Sequence, residues 1–92
     1  MKLAKKHKDT LSTMVLAHRV AVRKHQQAEV GTNAWIDAGI AENITQFALD
    51  VALDTEGDID WKLDYLWEYN DSGNMEAHVA IIRLENLGAI AR

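Results

Sequence analysis

The most regular apolar pattern in the chain runs over residues 33–54. Apolar side chains recur there every three or four residues, which places them on one side of an α-helix: Ile36, Ile40, Ile44, Phe47 and Val51. The opposite side is polar and carries Glu42, Asn43, Gln46 and Asp50. Alanines between these positions add helix propensity. The pattern predicts a long helix on which the other segments pack.

A first helix is predicted before this stretch, over residues 3–29. Its apolar stripe consists of Leu11, Met14, Val15, Ala21 and Val22. Gly31 follows as a C-terminal stop, since glycine adopts the left-handed conformation that ends many helices. Thr32 or Asn33 then offers a side-chain oxygen to cap the second helix.

A last helix is predicted over Met75–Leu87, with Asn74 as its cap and Gly88 as its stop. Its apolar residues fall on two sides: Val79 and Ile82 on one, and Ile81, Leu84 and Leu87 on the other. A helix that is apolar on two sides is expected to be central, or to be shared with a partner chain.

Residues 59–69 fit two structures. Apolar and polar side chains alternate along them, interrupted only by Leu66, and they alternate again over residues 47–53. Such a period of two is typical of strands, and it indicates a β-hairpin over residues 45–69.

The helical interpretation of the same residues aligns three carboxylates, four residues apart, in one acidic stripe: Asp60, Asp64 and Glu68. Asp58 would then be the N-cap. The alanines and the apolar side of the second segment favour the helix. We therefore expect a single all-α domain over residues 1–92 with about four helices. An α+β fold containing the hairpin is the alternative.

Composition narrows the range of functions. The chain has 92 residues, is 48% hydrophobic and 26% charged, as a globular protein should be, and contains neither cysteine nor proline. A disulfide scaffold, a thiolate zinc site and a cysteine nucleophile are therefore excluded. Residues 1–6 resemble the basic start of a signal peptide, but His18 and Arg19 interrupt the apolar run that follows. We expect a cytoplasmic protein with no membrane segment.

Candidate catalytic chemistry is sparse. His7, His18 and His25 share one sector of the first helix, but their spacing separates them by ~16 Å and ~10 Å along its axis, too far for one metal ion. We interpret them as half-buried interface histidines, with a pH-sensitive interface as the alternative. Ser12 and Ser72 have no nucleophile-elbow context, and no P-loop, dinucleotide fingerprint or EF-hand is present. We expect no catalytic residue, no metal, no cofactor and no enzymatic activity.

Charge is unevenly distributed along the chain. Residues 1–28 hold seven basic side chains and one acidic one, a net of +6, whereas residues 29–92 hold three and thirteen, a net of −10. Opposite charges of this size attract each other within one chain, between two copies, or towards an outside partner.

The acidic run after the second helix suggests an interaction surface. Its predicted partner-binding residues are six carboxylates and two aromatic anchors: Asp54, Glu56, Asp58, Asp60, Asp64, Glu68, Trp61 and Tyr65. A solubilising surface is the simpler interpretation. In size and composition, however, the chain resembles small phage-encoded inhibitors that mimic DNA, such as anti-restriction and some anti-CRISPR proteins. That resemblance implies an inhibitor or regulator that docks on a basic nucleic-acid-binding protein.

A second resemblance is local. Residues 79–92, with the Leu-Glu-x-x-Gly pattern at 84–88, resemble the recognition helix and first wing strand of winged-helix regulators. The chain departs from that family by ending where the wing would begin, and by offering Glu76 where DNA contact favours basic or amide groups. The resemblance implies a DNA-binding regulator acting as a homodimer. The basic face of the first helix is a separate basis for nucleic-acid binding, and the predicted contacts of this alternative are Lys5, Lys8, Arg19, Arg23 and Arg83.

Overall fold

The computed structural model of the chain describes residues 5–54 and 57–91. It contains four α-helices: α1 (Lys5–Gln27), α2 (Asn33–Leu53), α3 (Ile59–Asp71) and α4 (Met75–Leu87). The all-α prediction is confirmed, and the hairpin over 45–69 is wrong. Its two arms lie in α2 and α3, and no strand occurs among the described residues. Leu66, the residue that broke the strand alternation, is fully buried at 0% exposure.

Helix ends follow the predicted capping chemistry at three of the five predicted positions. Thr32 Oγ1 accepts a hydrogen bond from the Trp35 amide at 3.2 Å, and Asn74 Oδ1 accepts one from the Ala77 amide at 3.0 Å. Gly88 ends α4 with φ 74°. Asp58 occupies the N-cap of α3 in the left-handed conformation, with φ 59°, and its side chain makes no capping hydrogen bond.

The predicted limits of α1 need a small correction. The helix ends at Gln27 rather than at residue 29, although the Ala28 amide still donates to the Lys24 carbonyl. Gly31, with φ 87°, therefore lies in the connection to α2 instead of directly at the helix end. Residues 3 and 4 lie outside the described part of the chain.

Helix α2 is the centre of the fold, as its apolar pattern predicts. It packs against each of the other three helices, whereas α1 touches α4 only slightly and does not contact α3 in the described residues. The core brings together side chains of all four helices, among them Met14, Ile44, Leu66 and Leu84. Burying such side chains away from water is the main force that holds the four helices together.

Two residues of α2 depart from the predicted two-sided pattern. Ile36, assigned to the core side, is 46% exposed, because it lies in the first turn of α2 where no neighbouring helix covers it. Asp50, assigned to the solvent side, is only 7% exposed. Three other helices surround α2, so its buried sector is wider than a single apolar stripe.

One side of helix α4 is buried in the core, and the other side is partly exposed. Ile81, Leu84 and Leu87 are buried, whereas Ile82 is 42% exposed and Val79 is half-buried. None of the helices in the described ranges is both long and apolar enough to cross a bilayer.

Candidate interaction surface on helix α3

The lysine of α3 points into the protein. Lys62 is 8% exposed, and its Nζ lies 2.8 Å from Asp50 Oδ2 on α2. Gln46 Nε2 donates to the other carboxylate oxygen of Asp50 at 2.9 Å. The ammonium also lies 5.8 Å from the centre of the Phe47 ring, within the range of a cation–π interaction. The one cation of α3 is therefore used inside the fold.

The outer side of α3 is a row of carboxylates. Asp60, Asp64 and Glu68 are exposed, as the helical interpretation predicts, and Asp71 continues the same row. Within the described part of the chain no ion pair reaches any of the four. We call these four residues the acidic row: Asp60, Asp64, Glu68 and Asp71.

A line of aromatic rings runs beside the acidic row. Trp61, Tyr65 and Tyr69 are spaced one helical turn apart and follow the first three carboxylates by one residue each. The Phe47 ring packs edge-on against Trp61 at 4.9 Å and against Tyr65 at 5.1 Å between centroids. Lys62 Nζ lies 6.0 Å from the centre of the Trp61 ring, and Trp61 remains 49% exposed next to the carboxylates.

Tyr65 is the titratable group of this line with a clear shift. Burial of its hydroxyl raises the pKa of Tyr65 to about 12, and a hydrogen bond and charge interaction with Tyr69 act in the same direction, while a hydrogen bond from Asn43 opposes them. Tyr65 is half-buried between Phe47 and Tyr69. Of the three rings in this line, Trp61 is exposed, whereas Tyr65 and Tyr69 are half-buried.

The remaining predicted partner-binding residues sit in the connection between α2 and α3. Asp54 ends α2 in the left-handed conformation, with φ 51°, and Asp58 begins α3 with φ 59°. Both are exposed, at the end of α3 where the acidic row begins. Glu56 lies outside the described residues. Asp71 was not predicted as a site residue, although its place on the Asp60 side of the helix could have been found from the same periodicity.

The predicted nucleic-acid contacts divide into two places. Lys8, Arg19 and Arg23 are exposed, and at about 100° per residue they fall within a sector of about 60° on α1. Arg83 is half-buried on α4, beside a cavity of about 220 Å³ that also touches Met14 and Val79. The side chain of Lys5 lies outside the described part of the chain.

Two of the α1 histidines, His18 and His25, contact different residues of α2. His18 Nδ1 lies 2.9 Å from Thr45 Oγ1, and His25 Nδ1 lies 3.2 Å from Glu42 Oε2. The Nδ1 atom of His7 is buried without a hydrogen-bond partner among the described residues. His78 meets none of these histidines; its Nδ1 lies 3.1 Å from Asn70 Oδ1 at the end of α3.

Comparisons with models of protein families, with curated proteins and with solved structures find no match for this chain. Its function must therefore be argued from its own geometry. The wing resemblance gains no geometric support here, since residues 89–91 follow Gly88 without forming a strand. The exposed side of α4 carries Met75, His78, Ile82 and Asn86, with no lysine or arginine among them.

Proposed function

We propose that this protein is a non-enzymatic interaction module whose acidic row docks on the basic cleft of a nucleic-acid-binding protein, in the manner of a DNA mimic. The observation that carries this proposal is the inward position of Lys62, bound to Asp50 at 2.8 Å. Since that lysine is the only cation of α3, its burial leaves the outer side of the helix purely negative.

The charge density of the acidic row is suitable for this role. At 1.5 Å rise per residue, the four carboxylates span ~16 Å, or about one negative charge per 5 Å. One strand of B-DNA carries a phosphate about every 3.4 Å of helix axis. A cleft whose lysines and arginines are arranged for phosphates would therefore meet charges of comparable spacing on α3.

The exposed indole of Trp61 adds a hydrophobic anchor to this surface. Tryptophan is among the residues that most often dominate the binding energy of protein interfaces, because its large ring excludes water when it is covered. Trp61 is 49% exposed and follows Asp60 directly. Charge would guide the partner to α3, and the indole would slow its dissociation.

Displacement of DNA tests this proposal. A panel of purified duplex-DNA-binding proteins is loaded with a short fluorescent duplex, and the protein is titrated in while anisotropy is followed. We expect wild type to displace the duplex from at least one member, with an apparent affinity that falls as salt rises. The double variant Asp60→Lys with Asp64→Lys is expected to lose displacement, because it reverses two of the four charges of the row.

A control with the same change in net charge shows whether position matters. Asp37→Lys with Glu29→Lys reverses two exposed carboxylates outside α3 and should displace the duplex as wild type does. Circular dichroism checks that every variant stays helical. The proposal fails if no panel member releases its duplex, or if both double variants behave alike.

A further inference from the structure

Helix α1 has the least enclosed surface of the four. It packs along α2 and only slightly on α4, and it makes no contact with α3 within the described residues. On the side that carries Lys8, Arg19 and Arg23, an open groove of about 530 Å³ separates α1 from α2. Five aliphatic side chains form most of the groove wall, with Arg19 at its edge: Leu11, Val15, Leu16, Leu49 and Leu53.

This groove has the properties of a docking site, and no described segment of the same chain fills it. Leu16 is 61% exposed and Leu53 is 49% exposed, although both line a concave apolar surface. Leaving such side chains in water forgoes the stabilisation that burial would give. The adjacent Arg19 and Arg23 lie one helical turn apart and are also exposed. An occupant should therefore combine an apolar group with carboxylates at the same spacing.

The same protein presents that combination on α3. Trp61 is 49% exposed, and Asp60 and Asp64 lie beside it one helical turn apart. Aspartate pairs at i, i+4 and arginine pairs at i, i+4 share an axial spacing of ~6 Å, so two helices lying side by side can match both charges. We propose that the groove between α1 and α2 binds α3 of a second copy of this chain, with Trp61 in the groove and its carboxylates on Arg19 and Arg23.

Charge selects this occupant over the obvious alternatives. Packing α1 of one copy on α1 of another would bring Arg19 and Arg23 close to the same arginines of the second copy, and these like charges repel. The phosphates of a nucleic acid could pair with the arginines, but they would not bury the aliphatic side chains of the groove. The net charge of −4 on the protein also disfavours binding of a polyanion. Within one chain the contact is absent, since α1 and α3 do not meet in the described residues.

This self-association is independent of the proposed partner but uses the same carboxylates. A second copy seated on Asp60 and Asp64 would exclude a basic partner from them, so the two associations compete. Self-association is measured with the protein alone, and partner docking is measured by displacement of DNA. Failure of one therefore leaves the other standing.

A charge exchange tested by sedimentation velocity decides the proposal. Wild type should sediment as a concentration-dependent oligomer at about 50 mM salt and shift towards monomer at about 500 mM, where exposed charges are screened. Arg19→Glu with Arg23→Glu, and separately Asp60→Lys with Asp64→Lys, should each weaken self-association at least about tenfold. An equimolar mixture of the two variants should associate again, because every contact then joins opposite charges.

A matched pair of substitutions tests the groove itself. Leu16→Asp places a charge in the apolar wall and should abolish the oligomer, whereas Val30→Asp, at a residue that is 77% exposed in the α1–α2 connection, should not. Circular dichroism monitors folding of both. A monomeric wild type, or a mixture of the charge-reversed variants that stays monomeric, overturns the proposal. So does an Arg19→Glu and Arg23→Glu variant that stays oligomeric but loses binding to a short DNA duplex.

Discussion

Replacing Lys62 by methionine tests the contact on which the charge of α3 depends. Methionine keeps most of the aliphatic length of the side chain and its packing on Phe47, but it removes the ammonium. Asp50 would then be left buried, with Gln46 as its remaining side-chain partner, since its side chain is 9% exposed and Lys62 is its only cation in the described residues. The substitution thus isolates the cost of an unpaired buried carboxylate.

The expected cost follows from the burial of both partners. The two side chains are 10% and 9% exposed, and their charged atoms are 2.8 Å apart. Removing one partner of a buried ion pair typically costs about 3–5 kcal/mol, because the remaining charge is neither hydrated nor paired. For a domain of this size, 3 kcal/mol corresponds to a fall in Tm of ~12–24 °C. The loss is large against a total stability of about 5–15 kcal/mol.

A double variant separates the pair from its surroundings. Asp50→Leu with Lys62→Met removes both charges together. Its free energy of unfolding should be within about 1 kcal/mol of that of wild type, or higher, because apolar replacements of buried ion pairs are often neutral or stabilising. Gln46 is exposed and can turn to water. Asp50→Leu alone completes the cycle and should also cost about 3–5 kcal/mol, because it leaves the ammonium buried and unpaired. The two single costs should therefore exceed the cost of the double variant by at least about 5 kcal/mol, and this difference measures the coupling.

Urea unfolding followed by circular dichroism gives these free energies, with Lys24→Met as the control. Lys24 is exposed near the end of α1, and its replacement should change the free energy of unfolding by less than about 0.5 kcal/mol. If Lys62→Met costs as little as the control, Lys62 is not buried with Asp50. In that case α3 would carry a solvent-exposed cation, and the observation that carries the proposed function would disappear.

Two further outcomes are expected. Because folded Tyr65 keeps its proton to about pH 12 whereas the unfolded chain loses it near 10.0, its contribution to stability is full below pH 10 and declines as the pH rises towards 12. Tyr65→Phe should flatten this alkaline loss in urea titrations, and an unchanged slope would contradict the assignment. Gly39→Ala should gain less than the ~1 kcal/mol of helix propensity, because the new Cβ would lie 3.3 Å from His25 Nε2. The full gain should appear only in a His25→Ala background, and equal effects in both backgrounds would refute the contact.

The helices could be predicted because their period is local. The spacing of buried residues in α2 and the caps at Thr32 and Asn74 both depend on residues that are close together in the sequence. The acidic row could be predicted for the same reason, since its members lie on one turn after another of a single helix. The ambiguous residues 59–69 are also predicted correctly as helical, because the alanines and the apolar side of the second segment favour the helix over the hairpin.

The pairing of Asp50 with Lys62 could not be predicted in that way. The two residues lie on different helices, and the apolar pattern of α2 assigns Asp50 to the solvent side. Only the packing of α3 on α2 shows that the two side chains face each other and are buried together. Likewise, the groove beside Leu16 depends on how far α1 is covered by its neighbours, which periodicity does not report.

The position of α2 explains why a chain with opposite charges at its two ends keeps both charged faces exposed. If α1 and α3 were neighbours, Arg19 and Arg23 would lie against the acidic row, and the fold would neutralise its own charge. The structure instead places α2 in contact with both helices while they do not touch each other in the described residues. Each charged face is then available to a molecule outside the chain, whether a second copy or a basic partner. Because both molecules would bind the same carboxylates through basic side chains, the choice between them rests on the short-range contacts of Trp61.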